Sequence, residues 1–274
     1  MKTQRDLVDD FRDGATHGRA SNIFIEGDTL YSYGYHFPLA LRYEKGKNLD
    51  FLVNADRYSV STSAHQGHCF ELGPQIPFSA LRSAGIDPRR IDVIEATKDE
   101  WHRVSDPLPE DPDHYRETHS LGAIVLGHRD KLYLSGLDRN EPWHLGSYFL
   151  SELPHRATSV ADAYESLIPP RVRQWRDNSD NSEVLRQGEW FFMPTDQRTA
   201  ELSAPTYRNA PLLDTNHYVT EMRKNDKDVY VRGTVSHKPA YRRPQHRRLK
   251  LDKTWHIAEK NLAIGSWNAS GYVD

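Results

Sequence analysis

Asn22 to Tyr33 reads NIFIEGDTLYSY, with Ile23, Ile25 and Leu30 alternating around Glu26-Gly27-Asp28. Two short alternating runs about a glycine-containing turn predict a β-hairpin. The pattern recurs. Phe51 to Thr62 is rich in β-branched and aromatic residues, Ile91 to Ala96 is another short strand, and Leu121 to Leu137 reads as a hairpin turning at His128-Arg129-Asp130. Ser147 to Leu153, Trp190 to Met193, Tyr218 to Met222, Val229 to Val235 and Trp255 to Ala258 add further strand-like runs. Ser79 to Ala84 opens a short helix ending at Gly85. The clearest helix is Ser159 to Ile168: Thr158 or Ser159 caps it, Val160, Ala163, Tyr164 and Leu167 mark one face, and Pro169-Pro170 stops it.

Strands at irregular spacing, without βαβ alternation and without an internal repeat, predict an α+β, β-rich fold. The acidic, proline-rich Pro107 to Pro112 reads as a loop, and Arg176 to Glu183 as a polar linker. The linker divides the chain into an α+β region over 1–175 and a β-rich domain over 183–274, a small barrel or sandwich carrying a basic loop.

The 274 residues suffice for a sizeable core, and the six Trp, fourteen Tyr and nine Phe argue for a folded chain despite a mean hydropathy of -0.78. A single cysteine, Cys69, excludes an intrachain disulfide and favours a reducing compartment. No apolar run reaches the roughly 18 residues of a spanning helix, and Met1 to Arg12 is charged and lacks the apolar stretch of a signal peptide. A cytoplasmic protein without membrane contact is expected.

Charge is unevenly placed. Between Val229 and His256 stand Arg232, Lys238, Arg242, Arg243, Arg247, Arg248, Lys250 and Lys253 against one acid, Asp252, interleaved with Tyr230, Tyr241 and Trp255. This stretch carries about +7 in a chain of formal charge -3, which points to a polyanion-facing surface. Arginine forks and lysines bind phosphate, and Tyr241 and Trp255 offer stacking faces for unpaired bases. DNA or RNA is the expected partner, read from charge alone, because the chain has no helix-turn-helix, zinc-finger or RNP motif. The other reading of the same loop is a protein-interaction module. It would dock an acidic protein or a second copy of the chain.

Three further constellations bear on chemistry. His65-x-x-His68-Cys69 offers zinc-type ligands, but without a second half-site the spacing reads first as a polar loop with a buried cysteine. Tyr31-Ser32-Tyr33-Gly34-Tyr35-His36-Phe37-Pro38 suits a binding loop. With Arg57, Tyr58, Ser59 and His65 it would form a phosphodiester-cleaving site in which His36 and His65 handle protons and Arg57 steadies charge. His217, His237 and His246, with Glu189 or Asp214, are candidate ligands for a divalent transition metal. A histidine- or metal-dependent nuclease is therefore the enzymatic alternative to a binding protein. No P-loop, GxGxxG or GxSxG is present.

Two stretches resemble known sequences. SNIFIEGDTLYSYGYHFPLA with NADRYSVSTSAH is similar to a segment of uncharacterised proteins of phages, plasmids and other mobile elements. From Arg186, RQGEWFFMPT, TNHYVTEM, VYVRGTVSH and LKLDKTWHIAEKN resemble small uncharacterised proteins that open with an Arg-Gln-Gly-Asp/Glu block. Those proteins carry a Thr-Gly-His-x-His block and a later His-x-x-His block. By that resemblance His217 matches the first histidine of the earlier block, while Val219 stands where the second would be. His237 and His246 match the later pair, separated here by Lys238 to Gln245. The resemblance implies a mobile-element accessory protein with no established activity, whose basic loop is an addition to a shared β-scaffold.

Overall fold

The computed structural model describes residues 2–45, 48–97, 100–108, 111–120, 122–137, 148–178, 184–195, 205–213, 215–237 and 248–268. The fold is α+β and β-rich, and the chain divides into two compact units. One comprises 1–137, 147–163 and 264–274; the other comprises 138–146 and 164–263. The boundary therefore falls earlier than the polar linker at 176–183, and the end of the chain returns to the first unit. Among the described residues no helix is long and apolar enough to cross a membrane.

The first unit opens with α1 (Gln4–Arg12), started by a capping box between Thr3 and Asp6. A six-stranded sheet follows, with β1 (His17–Ala20), β2 (Ile23–Glu26), β3 (Thr29–Ser32), β4 (Pro38–Lys45), β5 (Asn48–Asn54) and β6 (Gln75–Ile76) in sequential order. The β2–β3 hairpin turns at Gly27, whose φ of +59° suits a residue without a side chain. Between β5 and β6 lies α2 (Val60–Gly67), capped by Ser59. The β-branched run that reads as a continuous strand to Thr62 therefore leaves the sheet at Asn54. Next come α3 (Phe78–Ser83) and a turn of 3-10 helix at Pro88–Arg90.

A second sheet holds β7 (Asp92–Ala96), β10 (Ala123–His128), β11 (Lys131–Leu137) and β12 (Tyr148–Glu152), with Ser266–Asn268, the last strand among the described residues, at its edge. β8 (Glu100–Leu108) and β9 (Asp111–Ser120) pair antiparallel in a separate two-stranded sheet, so Pro107, Leu108, Asp111 and Pro112 of the acidic stretch belong to strands rather than to a loop. Side-chain alternation splits the first sheet between two cores. Phe51 and Val53 pack toward α1 with Leu7 and Phe11, while Leu52 joins Phe78, Leu81, Ile124, Leu126 and Leu150. Arg42 is 6% exposed, and its guanidinium donates to the carbonyls of Phe11 and Ala15 at the end of α1 and of Gly27 in the β2–β3 turn.

The clearest predicted helix is α4 (Val160–Ser166). Pro169-Pro170 ends it as expected, but Pro170 then begins α5 (Pro170–Asn178), because proline is tolerated in the first helical turn. The second unit is built on one antiparallel seven-stranded sheet. Its members are β13 (Leu185–Gln187), β14 (Trp190–Thr195), β15 (Thr206–Pro211), β16 (His217–Lys224), β17 (Val229–His237), β18 (Leu249–Lys250) and β19 (Trp255–Lys260). The spatial order is β13-β14-β19-β17-β16-β15, with β18 paired to β17. Both faces of its centre are covered. Trp190, Phe192, Val219, Val231 and Val235 form one core, and Phe191, Met193, Tyr230, Trp255 and Ile257 form the other with Val172 and Trp175 of α5. The unbroken apolar run Trp190-Phe191-Phe192-Met193 is the sequence form of that double burial.

Candidate functional site

The histidine on the buried face of α2 is fixed on both ring nitrogens. His65 is 5% exposed; its Nδ1 lies 2.8 Å from Ser32 Oγ and its Nε2 lies 3.1 Å from Gln4 Nε2. An amide NH2 only donates, so Nε2 must accept and Nδ1 must carry the proton it gives to Ser32. Burial, reinforced by the neighbouring His68, pushes the His65 pKa down. A buried, neutral ring with both nitrogens engaged is a packing element, and Ser32, 1% exposed, is no accessible nucleophile. Because the folded pKa is depressed, the unfolded chain takes up a proton first as pH falls below about 6.5. His65 is expected to remain a neutral Nδ1–H tautomer at pH 6 by 15N-detected NMR, with stability declining from there toward lower pH. A ring titrating near its ordinary value would contradict this.

His36 occupies different surroundings. It is exposed, follows β3, and its ring centroid stands 5.9 Å from that of Tyr58. Two adjoining grooves share His36, Pro38 and Arg82. One, of about 190 Å³, extends to Tyr31, Tyr35 and Arg89, and the other, of about 100 Å³, reaches Asn54, Asp56 and Tyr58. Arg57 and His65 line neither. The guanidiniums presented beside His36 are thus Arg82 and Arg89 rather than Arg57, and the expected trio of His36, Arg57 and His65 does not line a common groove.

Asp56 forms the floor of the smaller groove at 1% exposure. Its carboxylate accepts the backbone N–H and the hydroxyl of Ser79 at the first turn of α3, which Pro77 cannot cap with a side chain. Arg82 Nη2 approaches it at 4.0 Å. Burial pushes the Asp56 carboxyl up, against the opposing pull of Ser79 and Arg82. Gln66 Nε2 donates to the carbonyls of Asn54 and Asp56, at 2.7 Å each, locking this turn onto α2.

The zinc-type spacing His65-x-x-His68-Cys69 spans the end of α2. His65 and Cys69 face the core, His68 faces solvent, and the Cys69 thiol donates to the His65 carbonyl. Burial raises the Cys69 thiol to about 12, leaving a packing residue rather than a thiolate ligand. In the second unit, β16 and β17 set His217 directly opposite His237 with ring centroids 4.9 Å apart. Glu189 Oε1 is 3.7 Å from His217 Nδ1. His246 and Asp214 lie outside the described residues. Among the described residues no group of three or more His, Cys, Asp or Glu is arranged to hold a metal ion.

The basic stretch divides in the same way. Tyr241, Arg242, Arg243, Arg247 and Lys238 lie outside the described residues; Arg232, Arg248, Lys250 and Trp255 lie within them. Arg232 is ion-paired with Glu221 and sits 4.6 Å over the Trp255 ring, while Arg223 covers the same ring at 5.5 Å. Trp255 is 2% exposed and belongs to the core facing α5. It is not available as a base-stacking face.

Around them the sheet carries two grooves that meet at Thr220. One, of about 230 Å³, is lined by Tyr218, Thr220, Thr234, Ser236 and Arg248. The other is lined by Thr220, Arg232, Gly233 and Lys253, among others. Gly233 has φ +91°, and a Cβ there would come within 2.8 Å of Thr220, so the bare backbone keeps this junction open. β18 places Lys250 opposite Thr234.

The sequence pattern missed the hydroxyl groups of this face and the pair Arg82 and Arg89. Tyr218, Thr220, Thr234 and Ser236 were legible as the polar positions of two alternating strands. Arg82 and Arg89 carried no local signal, because only the tertiary fold brings them to His36. Compared with known proteins, the chain matches no family model, no curated protein and no solved structure.

Proposed function

We propose that the second unit binds nucleic acid through the grooved face of β16, β17 and β18, as a non-enzymatic accessory protein of the mobile-element type that the sequence resembles. The observation that carries this reading is the groove lined by Tyr218, Thr220, Thr234, Ser236 and Arg248. Guanidinium N–H groups are donors that phosphate oxygens accept from, and hydroxyls join them by rotating: the Thr220 and Ser236 hydroxyls donate only at long range, to the Thr234 and Tyr218 carbonyls at 3.4 and 3.5 Å. The neighbouring groove brings Arg232 and Lys253 to the same face, alongside Glu221 and Asp252. β17 ends at His237, and the sequence between it and Arg248 holds Lys238, Arg242, Arg243 and Arg247. Glu221 holds Arg232 in place, and its charge also tempers that arginine's share of phosphate attraction. Arg248 and the 238–247 segment are therefore the principal contributors.

Mobility-shift titration against single- and double-stranded DNA and RNA, at low and high salt and with and without EDTA, tests the proposal. Binding of intact nucleic acid should weaken steeply with salt. Arg248→Glu should lower the slope of log affinity against log salt by about one, and Arg242→Glu with Arg243→Glu should abolish the shift at physiological salt. No shift at low salt, or binding indifferent to salt, would overturn the reading. EDTA-sensitive degradation would replace it with a nuclease. A dimer that dissociates with salt and ignores nucleic acid would replace it with a protein-interaction module.

A further inference from the structure

The twin groove at His36 is not used by the nucleic-acid reading, and it lies in the other unit. Its charge comes from two arginines. Arg82 and Arg89 open onto the groove, and His36 lines both halves. Arg89 has no carboxylate partner among the described residues; its guanidinium donates to the Tyr31 hydroxyl at 3.4 Å. Asp87, also at the rim, accepts the Arg89 backbone N–H and faces Arg90 at 3.9 Å. The buried Asp56 is held by Ser79 and meets Arg82 only at 4.0 Å. Two arginine forks with so little acid committed to them are suited to an oxyanion, and phosphate matches their planar donor geometry.

The larger half also carries an aromatic plate. Tyr35 is 65% exposed, yet its ring is held edge-on against Phe24 and Tyr31, each with centroids 5.2 Å away. Its hydroxyl donates to Glu26 at 3.0 Å, which fixes the ring's direction. A large aromatic side chain left in water but braced on three sides offers a stacking surface at little entropic cost.

We propose that this groove binds a nucleoside monophosphate, with the phosphate between Arg82, Arg89 and His36 and the base against Tyr35. The two halves, about 190 and about 100 Å³, lie below the usual range for drug-sized pockets of about 300–1,000 Å³. Together they offer space on the scale of a single nucleotide.

Isothermal titration of the full chain with each common nucleoside monophosphate, the matching nucleosides and inorganic phosphate tests the assignment. At least one monophosphate should saturate, and its nucleoside and free phosphate should each bind about tenfold more weakly or worse. Arg89→Ala should weaken the nucleotide about tenfold. Tyr35→Ala should cost a similar factor for the nucleotide and leave inorganic phosphate unchanged. Thermal melting establishes that each variant is folded, and Arg89→Gln serves in its place if the alanine variant is not.

Absence of saturable monophosphate binding would overturn the proposal, as would equal affinity in Arg89→Ala. Binding of a 5′-phosphorylated oligonucleotide through Arg89, without mononucleotide binding, would overturn it in favour of a strand-end site. Arg248→Glu should leave monophosphate affinity untouched; its loss would move the nucleotide to the sheet of the second unit and overturn the assignment. The failure of this groove and the failure of the nucleic-acid face are thus read separately.

Discussion

Trp255→Ala is expected to destabilise the second unit by about 3–5 kcal/mol, read from urea or thermal unfolding, and to reduce nucleic-acid binding only as far as it unfolds the protein. The indole is 2% exposed and packs with Phe191, Met193, Tyr230, Ile257 and Val172. Truncation leaves a cavity in a core enclosed on one side by α5 and on the other by the sheet. It also strips the ring from beneath two guanidiniums, Arg223 at 5.5 Å and Arg232 at 4.6 Å. Each cation–π contact adds about 0.5–2 kcal/mol to the loss, depending on its desolvation. Trp255→Phe keeps most of the apolar volume and should cost roughly half as much or less. A Trp255→Ala protein of wild-type stability that no longer binds nucleic acid would mean that the indole is a stacking face. A large stability loss matched by the fraction unfolded would establish it as the anchor of the sheet.

The same residue shows where sequence reading ran out. Among arginines and lysines, Trp255 reads as an exposed aromatic of a basic stripe, because local composition dominates a short window. Its true environment was written in alternation: Trp255 and Ile257 share a face, and the register places Ile257 against Tyr230 and Trp255 against Thr195. The β2–β3 hairpin was legible because two runs of alternating residues met at a glycine. The helix Val160–Ser166 was legible from its cap and its proline stop. By contrast, α2 was hidden by Val60 and Thr62, whose β-branching argues for strand until Ser59 is recognised as an N-cap that starts a new helix. The helix after Pro170 was hidden by the habit of reading proline as an end, although its fixed φ also suits a beginning.

The candidate sites divide along the same line. Polar positions on β16 and β17 follow from two-residue alternation, so the hydroxyl face of the second unit is local information. His217 and His237 become a pair only through a strand register whose bulge between Val219 and Glu221 no pattern announced. Arg82 and Arg89 reach His36 through the packing of a sheet, α3 and the turn at Pro88. His65 looked reactive because histidine near serine and arginine suggests chemistry. Burial and two hydrogen bonds decided otherwise.

Asp56→Ala is the second large effect expected, about 2–4 kcal/mol of the first unit's stability at neutral pH. At 1% exposure this carboxylate takes both the N–H and the hydroxyl of Ser79, and so starts α3 in place of a side-chain cap at Pro77. Alanine removes the acceptor those two donors share and takes from Arg82 the carboxylate it pairs with at 4.0 Å. The effect should depend on pH in a direction opposite to that of an ordinary salt-bridged aspartate. Burial raises the folded carboxyl above its ordinary 3.8, so between those two values the native protein keeps a proton that the unfolded chain has released. Stability from this group therefore grows as pH falls through the folded value and is lost as pH rises through it. The gap between wild type and Asp56→Ala in urea unfolding should widen from about pH 7 to about pH 4. A gap that narrows over that range would mean that Ser79 and Arg82 outweigh desolvation, and that the charged carboxylate is the form the fold selects.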